Sequence, residues 1–232
     1  MDHVVQGAFT RAASRARAKS PLTEFSLQQW ILERFERSGA ITDEPPIVAV
    51  NRHAGDPHYE PQSKGSSLIR PGDLLLLDVW GKMKQPGSVY YDVTWVGFLG
   101  PRVPEKYARI FSIVAAARDR AIAVVQKSLD EARKLEGWQV DRAAREVIRK
   151  AGYAANFVHR TGHSIGQEVH GAGANMDSLE TYDSRRILPQ TCFSIEPGIY
   201  LPHFGVRSEV NMFVGDGEAR VTGEMQREMQ LL

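Results

Sequence analysis

The 232-residue chain has the length of one large domain, and 42% of its residues are hydrophobic, which is sufficient for a single core. Its 29 lysines and arginines nearly balance 28 acidic residues, so the composition favours neither nucleic acid nor an anionic membrane as a partner. The single cysteine excludes an internal disulfide, and no apolar leader or membrane-length run is present, so a soluble cytoplasmic protein is predicted.

The first predicted elements are helical. Residues 1–22 are rich in alanine and arginine and are predicted to form an N-terminal arm or a partial helix with solvent-facing arginines. Thr23 is a favoured helix N-cap and Gly39 a favoured helix stop, so a helix is predicted over residues 23–38. One domain is the default for this length, and it is predicted to span residues 23–232.

A short strand over residues 45–50 leads into a polar loop that carries two histidines, His53 and His58. Loops on a rigid scaffold often carry binding residues. His58 is therefore a candidate substrate contact, whereas His53 is interpreted as facing solvent.

Four acidic residues lie in or beside strongly apolar runs that predict β-strands. They are Asp78, Asp92, Glu196 and Glu209. Two predicted hairpins, residues 74–99 and 191–214, carry them in pairs 14 and 13 positions apart, so antiparallel pairing can bring each pair together. The similar spacings indicate an internal pseudo-repeat. Unpaired buried charges are destabilising and repel one another, so four such carboxylates require cations.

Two amphipathic helices are predicted between these hairpins, over residues 104–134 and 140–150. Asp141 is interpreted as an acidic residue that favours the start of the second helix. After the helices, residues 157–170 contain three histidines and are called the histidine segment below. The polar residues 171–189 are predicted to form a surface excursion.

The histidine segment supplies a nitrogen ligand to the acidic residues. Gly162 and Gly166 favour strand and loop over helix around His163. Four carboxylates and one imidazole suit two divalent ions, with Mn, Co, Fe or Zn as candidates. Two ions about 3.5–4 Å apart can share a hydroxide that is nucleophilic at neutral pH. The pattern therefore predicts a two-metal hydrolytic site.

At these residues the sequence resembles the pita-bread family of dinuclear metallopeptidases, family M24, in its aminopeptidase P and prolidase branch. The motifs that carry the resemblance are Leu77-Asp78, Tyr91-Asp92-Val93-Thr94, His159-Arg160-Thr161-Gly162-His163-Ser164-Ile165-Gly166, Ser194-Ile195-Glu196-Pro197-Gly198-Ile199-Tyr200 and Gly205-Val206-Arg207-Ser208-Glu209. The resemblance implies an α+β fold, with a pseudo-twofold curved antiparallel sheet covered by helices on its outer face. It also implies that residues 23–232 are a catalytic domain only.

The resemblance further implies the role of each site residue. Asp78 would bind one metal ion, His163 and Glu196 the other, and Asp92 and Glu209 would bridge them, with Mn the expected metal. Glu196 would also relay a proton to the leaving nitrogen. The residues expected at the substrate are His58, His159, His170 and Arg207, of which His58 and His170 are also expected to take part in catalysis.

The predicted function is cleavage of the Xaa-Pro peptide bond, at the N-terminus of peptides or in dipeptides, by a metal-bridging hydroxide. A homodimer is the expected assembly. Two alternatives stay open: a hydrolase or lyase of the same fold that acts on a small non-peptide substrate, and a non-catalytic module of the same fold that binds peptides. Turnover and metal content distinguish them.

Overall fold

The structure is a computed structural model that describes residues 1–232, with four α-helices and eleven β-strands. The helices are α1 (Asp2–Arg17), α2 (Glu24–Arg37), α3 (Glu105–Asp130) and α4 (Gly137–Lys150). The strands are β1 (Ala40–Ile41), β2 (Ile47–Val50), β3 (Leu74–Met83), β4 (Tyr91–Phe98), β5 (Ser164–Ile165), β6 (Thr191–Ile195), β7 (Gly198–Leu201), β8 (Phe204–Arg207), β9 (Val210–Val214), β10 (Ala219–Thr222) and β11 (Gln230–Leu231).

Strands β3 and β4 form the predicted first hairpin at the centre of a five-stranded sheet, with β1 and β2 beside β3 and β11 parallel to β4. The two faces of β3 enter different cores. Leu75 and Leu77 pack in a cluster with α1 and α2, whereas Leu74 and Leu76 pack in a larger cluster with α3 and α4. Because both faces of the strand are buried, its sequence is a continuous apolar run without polar alternation.

The register of this hairpin places its two aspartates on one face. Asp78 lies opposite Thr94, and Asp92 lies opposite Trp80, two positions further along. Side chains two positions apart on a strand share a face, so the aspartates are diagonal neighbours. The predicted approach of Asp78 to Asp92 is therefore confirmed.

The second hairpin is present but interrupted beside its two glutamates. Strand β6 pairs with β9 and β7 with β8 in one continuous register, which sets Glu196 opposite Glu209 in the gap between the two pairs. Pro197 has no amide hydrogen for a ladder bond. The glutamate amides donate elsewhere, from Glu196 to Thr161 O at 2.7 Å and from Glu209 to Thr94 O at 3.2 Å. These two amide hydrogen bonds connect the hairpin to the histidine segment and to β4.

A side-chain amide joins the two hairpins. Asn211 Oδ1 accepts the amide hydrogen of Asp92 at 2.9 Å, and Asn211 Nδ2 donates to Asp92 O at 2.6 Å. The Asn211 side chain on β9 thus bonds the backbone of Asp92 on β4, as a neighbouring strand would. The two acidic pairs consequently face a common centre.

The helices cover the outer faces of the sheets. Helix α3 packs on β6, β8 and β10, and α4 packs on α3. Helix α4 begins earlier than predicted, at Gly137, because the side chains of Glu136 and Gln139 form a capping box around the first turn. None of the helices combines the length and apolar character needed to span a bilayer.

The N-terminal segment forms a 16-residue helix, α1, whose Val5, Ala8 and Phe9 are buried in one cluster with α2. Its arginines, including Arg11 and Arg15, are exposed, as the sequence pattern predicts. The division of the chain at residue 22 remains a prediction.

Residues 171–189 are largely exposed, as their polarity predicts, but the segment is anchored by buried residues. Met176 is fully buried in the larger cluster, and Asp177 is buried as well. Two backbone hydrogen bonds at 2.9 Å, from Thr161 N to Met176 O and from Met176 N to Gly162 O, pair this segment with the histidine segment. The buried Asp177 accepts the amides of residues 179, 180 and 181 and so supports an exposed turn.

Candidate metal centre

His163 presents one ring nitrogen to the acidic residues. Its Nε2 lies 3.5 Å from Asp92 Oδ2 and 3.4 Å from Glu196 Oε1. Its Nδ1 lies 3.1 Å from Ser164 O, which only accepts, so this nitrogen carries a hydrogen and Nε2 is the nitrogen that faces the carboxylates. Ser194 Oγ holds both residues in place. It accepts the His163 amide hydrogen at 2.9 Å and donates to Glu196 Oε1 at 3.0 Å.

The carboxylates leave buried oxygens without partners. Asp92, His163 and Glu209 offer ligand atoms within 4.8 Å of one another. Asp78 Oδ1, Asp92 Oδ1 and Glu209 Oε1 are buried and accept no hydrogen bond. Such oxygens are strongly destabilising unless something compensates their charge. Oxygen donors with one imidazole suit divalent cations, so these residues fit the predicted metal centre.

The acid–base properties of these groups reflect their crowding. Burial raises the pKa of Asp92 to about 7, against the opposing effect of His163. Burial and the neighbouring carboxylates raise the pKa of Glu209 well above its usual range, and burial also raises the pKa of Glu196. Burial alone would lower the pKa of His163, but Asp92 and Glu196 more than offset it and raise that pKa. Metal ions that bind these groups would compete with protons for the same atoms.

Arg207 supports the carboxylates from within the fold. Its buried guanidinium is paired with Asp78 Oδ2 and donates to Thr94 Oγ1 and to Tyr200 OH, both at 2.9 Å. Thr94 Oγ1 in turn donates to Glu209 Oε2 at 2.8 Å. The guanidinium is thus engaged by protein groups and orients Asp78. Its expected contact with substrate remains a prediction.

His159 belongs to the same hydrogen-bonded chain. Its Nδ1 lies 2.7 Å from Arg160 O and must donate there, so its Nε2 accepts from Tyr200 OH at 2.7 Å. Burial, and then the charge of Arg207, lower the pKa of His159 to about 3. His159 is consequently neutral at physiological pH and acts as an acceptor toward Tyr200.

A His159→Gln variant should lose less stability in acid than the parent chain. Unfolded histidine binds a proton below pH 6.5, whereas folded His159 does so only below about 3, so parent stability falls as the pH drops through this window. The difference in slope should reach ~1.4 kcal/mol per pH unit. Urea unfolding of the metal-free proteins across the window measures it. Parallel curves would contradict the assignment, and His3→Gln, at an exposed position, is the control.

One cavity of about 400 Å³ collects all nine predicted site residues. They are His58, Asp78, Asp92, His159, His163, His170, Glu196, Arg207 and Glu209. The ring of His170 lies 4.4 Å from that of His163, edge to face, and burial lowers the pKa of His170 to about 4. The remaining lining includes Trp80 and Val158, which offer apolar surface beside the acidic centre.

The interpretation of His53 as solvent-facing is wrong. Its Nδ1 lies 2.9 Å from Glu24 Oε1, and its ring stacks on Tyr59 at 4.2 Å. Glu24 is fully buried and also accepts from Val50 N, Ser67 N and Tyr59 OH, at 2.7–2.8 Å. This carboxylate fastens the loop that carries His58. No local pattern predicts it, because the partners lie 26 to 43 positions away in the chain.

Gly162 is required by close packing beside His163. A Cβ there would lie 2.0 Å from Ser194 O. Gly162→Ala should therefore separate the histidine segment from β6, destabilise the fold by about 1–3 kcal/mol and weaken metal binding. Thermal unfolding and metal titration measure both effects. Gly166→Ala is the matched control, since a Cβ there would meet nothing within 4 Å, and equal behaviour of the two variants would contradict the prediction.

Comparisons with known proteins agree with this geometry. The sequence profile of metallopeptidase family M24 matches residues 3–216. The Xaa-Pro dipeptidase of Lactobacillus delbrueckii subsp. lactis is 32% identical over 164 residues, which are 70% of this chain and 40% of the relative.

Solved structures extend the likeness to the fold. A dipeptidase from Pyrococcus horikoshii OT3 superimposes with a TM-score of 0.77 and 32% identity over 91% of this chain and 55% of its own. An X-Pro aminopeptidase from Thermotoga maritima MSB8 gives a TM-score of 0.81 and 25% identity over 99% of this chain and 60% of its own. The chain thus spans about half the length of the curated relatives it matches. The predicted pita-bread fold is confirmed, and the chain belongs to metallopeptidase family M24.

Proposed function

We propose that the chain is the catalytic domain of a two-metal peptidase that cleaves Xaa-Pro bonds, either at the N-terminus of peptides or in dipeptides. The observation that carries the proposal is the set of three buried, unpartnered carboxylate oxygens, on Asp78, Asp92 and Glu209, which line one cavity together with His163. A structural role alone does not account for such a set, because it destabilises the fold unless cations bind.

The residues that would hold the metal ions are Asp78, Asp92, His163, Glu196 and Glu209. When bound, two divalent ions such as Mn²⁺ polarise the substrate carbonyl and make a water nucleophilic at neutral pH. Arg207 keeps Asp78 oriented, and Ser194 keeps Glu196 and His163 in register. These supports restrict the ligands to one arrangement before any ion enters.

Glu196 is the proposed proton-transfer group. Its Oε1 is taken by Ser194, which leaves Oε2 free to take a proton from the attacking water and pass it to the leaving nitrogen. His170, edge to face against His163, is placed to donate a hydrogen bond to the developing oxyanion. His58 and His159, which both line the cavity, would contact the substrate.

The substrate class is supported by the named relatives and by the cavity. The relatives include an Xaa-Pro dipeptidase and an X-Pro aminopeptidase. An Xaa-Pro bond has no amide hydrogen, so its recognition depends on the shape of the ring and on acceptors. Trp80 and Val158 give the cavity apolar surface suited to a proline ring. A homodimer, a cytoplasmic location and the absence of nucleic-acid and membrane partners remain predictions.

The proposal is tested by elemental analysis of the purified chain together with hydrolysis of an Xaa-Pro dipeptide and an Xaa-Pro-containing tripeptide after addition of Mn²⁺ or Co²⁺. Two ions per chain with cleavage before proline, abolished by chelation, are expected. Two ions with turnover of small amides only would favour the non-peptide hydrolase. No bound metal at any loading would favour a non-catalytic peptide-binding module.

A further inference from the structure

A second buried carboxylate, outside the cavity, is surrounded by hydrogen-bond donors. Asp141 lies near the start of α4, is fully buried and does not line the cavity. Its Oδ1 accepts from Thr161 N at 3.0 Å, Thr161 Oγ1 at 2.6 Å and Arg145 Nη2 at 2.8 Å. Its Oδ2 accepts from Ser178 N at 3.0 Å, Ser178 Oγ at 2.5 Å and Arg145 Nε at 3.0 Å. One carboxylate therefore joins α4, the histidine segment and residues 171–189.

Arg145 makes further hydrogen bonds to the backbone of the histidine segment. While it pairs with Asp141, its Nη1 donates to Phe157 O at 3.0 Å and its Nη2 to His159 O at 2.8 Å. Its guanidinium also lies 4.1 Å from the centre of the Phe157 ring. Together, Asp141 and Arg145 contact three alternate residues of an extended chain, at positions 157, 159 and 161.

The contacts at Thr161 lead directly to two predicted metal ligands. Thr161 O accepts the Glu196 amide at 2.7 Å, and His163 follows two residues later. A shift of Thr161 therefore moves Glu196 through its backbone and His163 through the chain. Ligand geometry tolerates little displacement, since errors of about 1 Å reduce function strongly.

We propose that Asp141 and Arg145 are positioning residues, which hold the histidine segment so that His163 and Glu196 meet at the metal centre. Packing of α4 alone does not account for them, because Val140, Ala144 and Ile148 already bury its apolar face. The metal readout below rests on the proposed function, whereas the backbone readout is independent of it.

Asp141→Asn is the sharpest test. Each carboxylate oxygen accepts from a backbone amide and from Arg145, which can only donate, so the amide nitrogen of asparagine must face such donors in either orientation while the shape is kept. Glu146→Gln is the matched control on the same helix, because the Glu146 side chain is 43% exposed and pairs only with Arg149 and Lys150. Thr161→Val is a milder variant that removes one donor and keeps the shape, in case Asp141→Asn does not fold.

The first readout is hydrogen exchange of backbone amides in the metal-free chain. In Asp141→Asn, exchange at Thr161, His163 and Glu196 should accelerate by about tenfold or more, with β3 unchanged. The second is Co²⁺ titration followed by visible absorption, in which binding should weaken about 10- to 100-fold with an altered spectrum. The smaller effects expected for Thr161→Val follow the same pattern.

The inference is overturned if both readouts match those of Glu146→Gln, or if exchange accelerates equally in all elements, which would indicate a general loss of stability. A parent chain that binds no Co²⁺ would refute the proposed function but leave the exchange result to decide the positioning role. Local acceleration in that case would still support it, and its absence would refute it.

Discussion

Glu209→Gln is expected to reduce turnover by about three orders of magnitude or more and to lower the metal content below two ions per chain. Glu209 Oε2 is held by Thr94, and its Oε1 is buried without a partner, so glutamine removes the negative charge that a cation needs at this point. A metal contribution of several kcal/mol corresponds to a loss of this size. Elemental analysis and steady-state kinetics with an Xaa-Pro dipeptide measure both effects.

Loss of the fold is separated from loss of the ligand by the metal-free protein. There the melting temperature of Glu209→Gln should equal or exceed that of the parent, because one of several crowded like charges is gone. Glu218→Gln is the control, since Glu218 is exposed and only forms an ion pair with Arg220 at 3.6 Å. Full metal content with normal turnover in Glu209→Gln would exclude its role as a ligand.

Glu196→Gln is expected to lower turnover by about 10²- to 10⁴-fold while part of the metal stays bound. Glutamine keeps an oxygen near His163 and Ser194 but cannot take up a proton. Turnover should therefore fall by the amount expected when a general acid–base group is removed. The Michaelis constant should change much less than the turnover number, because ground-state contacts are kept.

Steady-state kinetics with metal analysis on the same sample checks this expectation. Glu209→Gln provides the comparison. Substitution of the glutamate that transfers protons should lower turnover while metal stays bound, whereas Glu209→Gln should lower both. If Glu196→Gln retained parental activity, the proton would have to move through another group. If it lost all metal, its role would be that of a ligand alone.

Local patterns predict much of this molecule because its strands and the residues of the proposed metal site stand in short, recognisable stretches. The apolar run before Asp78 predicts a strand, and the turn-forming link before Asp92 predicts a hairpin, which the structure confirms. Residue type alone restricts the ligand chemistry, because four carboxylates and one imidazole have few compatible partners other than divalent cations. The family motifs then lead to the fold.

Local patterns fail where one side chain serves distant segments. The sequence assigns Asp141 to a helix start, but the helix begins four residues earlier, and four of the six hydrogen bonds to its carboxylate come from residues 20 and 37 positions away. Met176 lies in a polar stretch and is nevertheless fully buried. In both cases the deciding contacts are tertiary, so no window of neighbouring residues contains them.

By itself, then, the sequence determined the main strands, the residue types of the proposed site and the family, because periodicity and residue chemistry are properties of short stretches. Only the tertiary structure decided which carboxylate oxygens lack partners, which nitrogen of His163 faces them, and that Arg207 is engaged by Asp78, 129 positions away. These features depend on strand register and on burial. Both are fixed only when the two hairpins pack against each other and against the histidine segment.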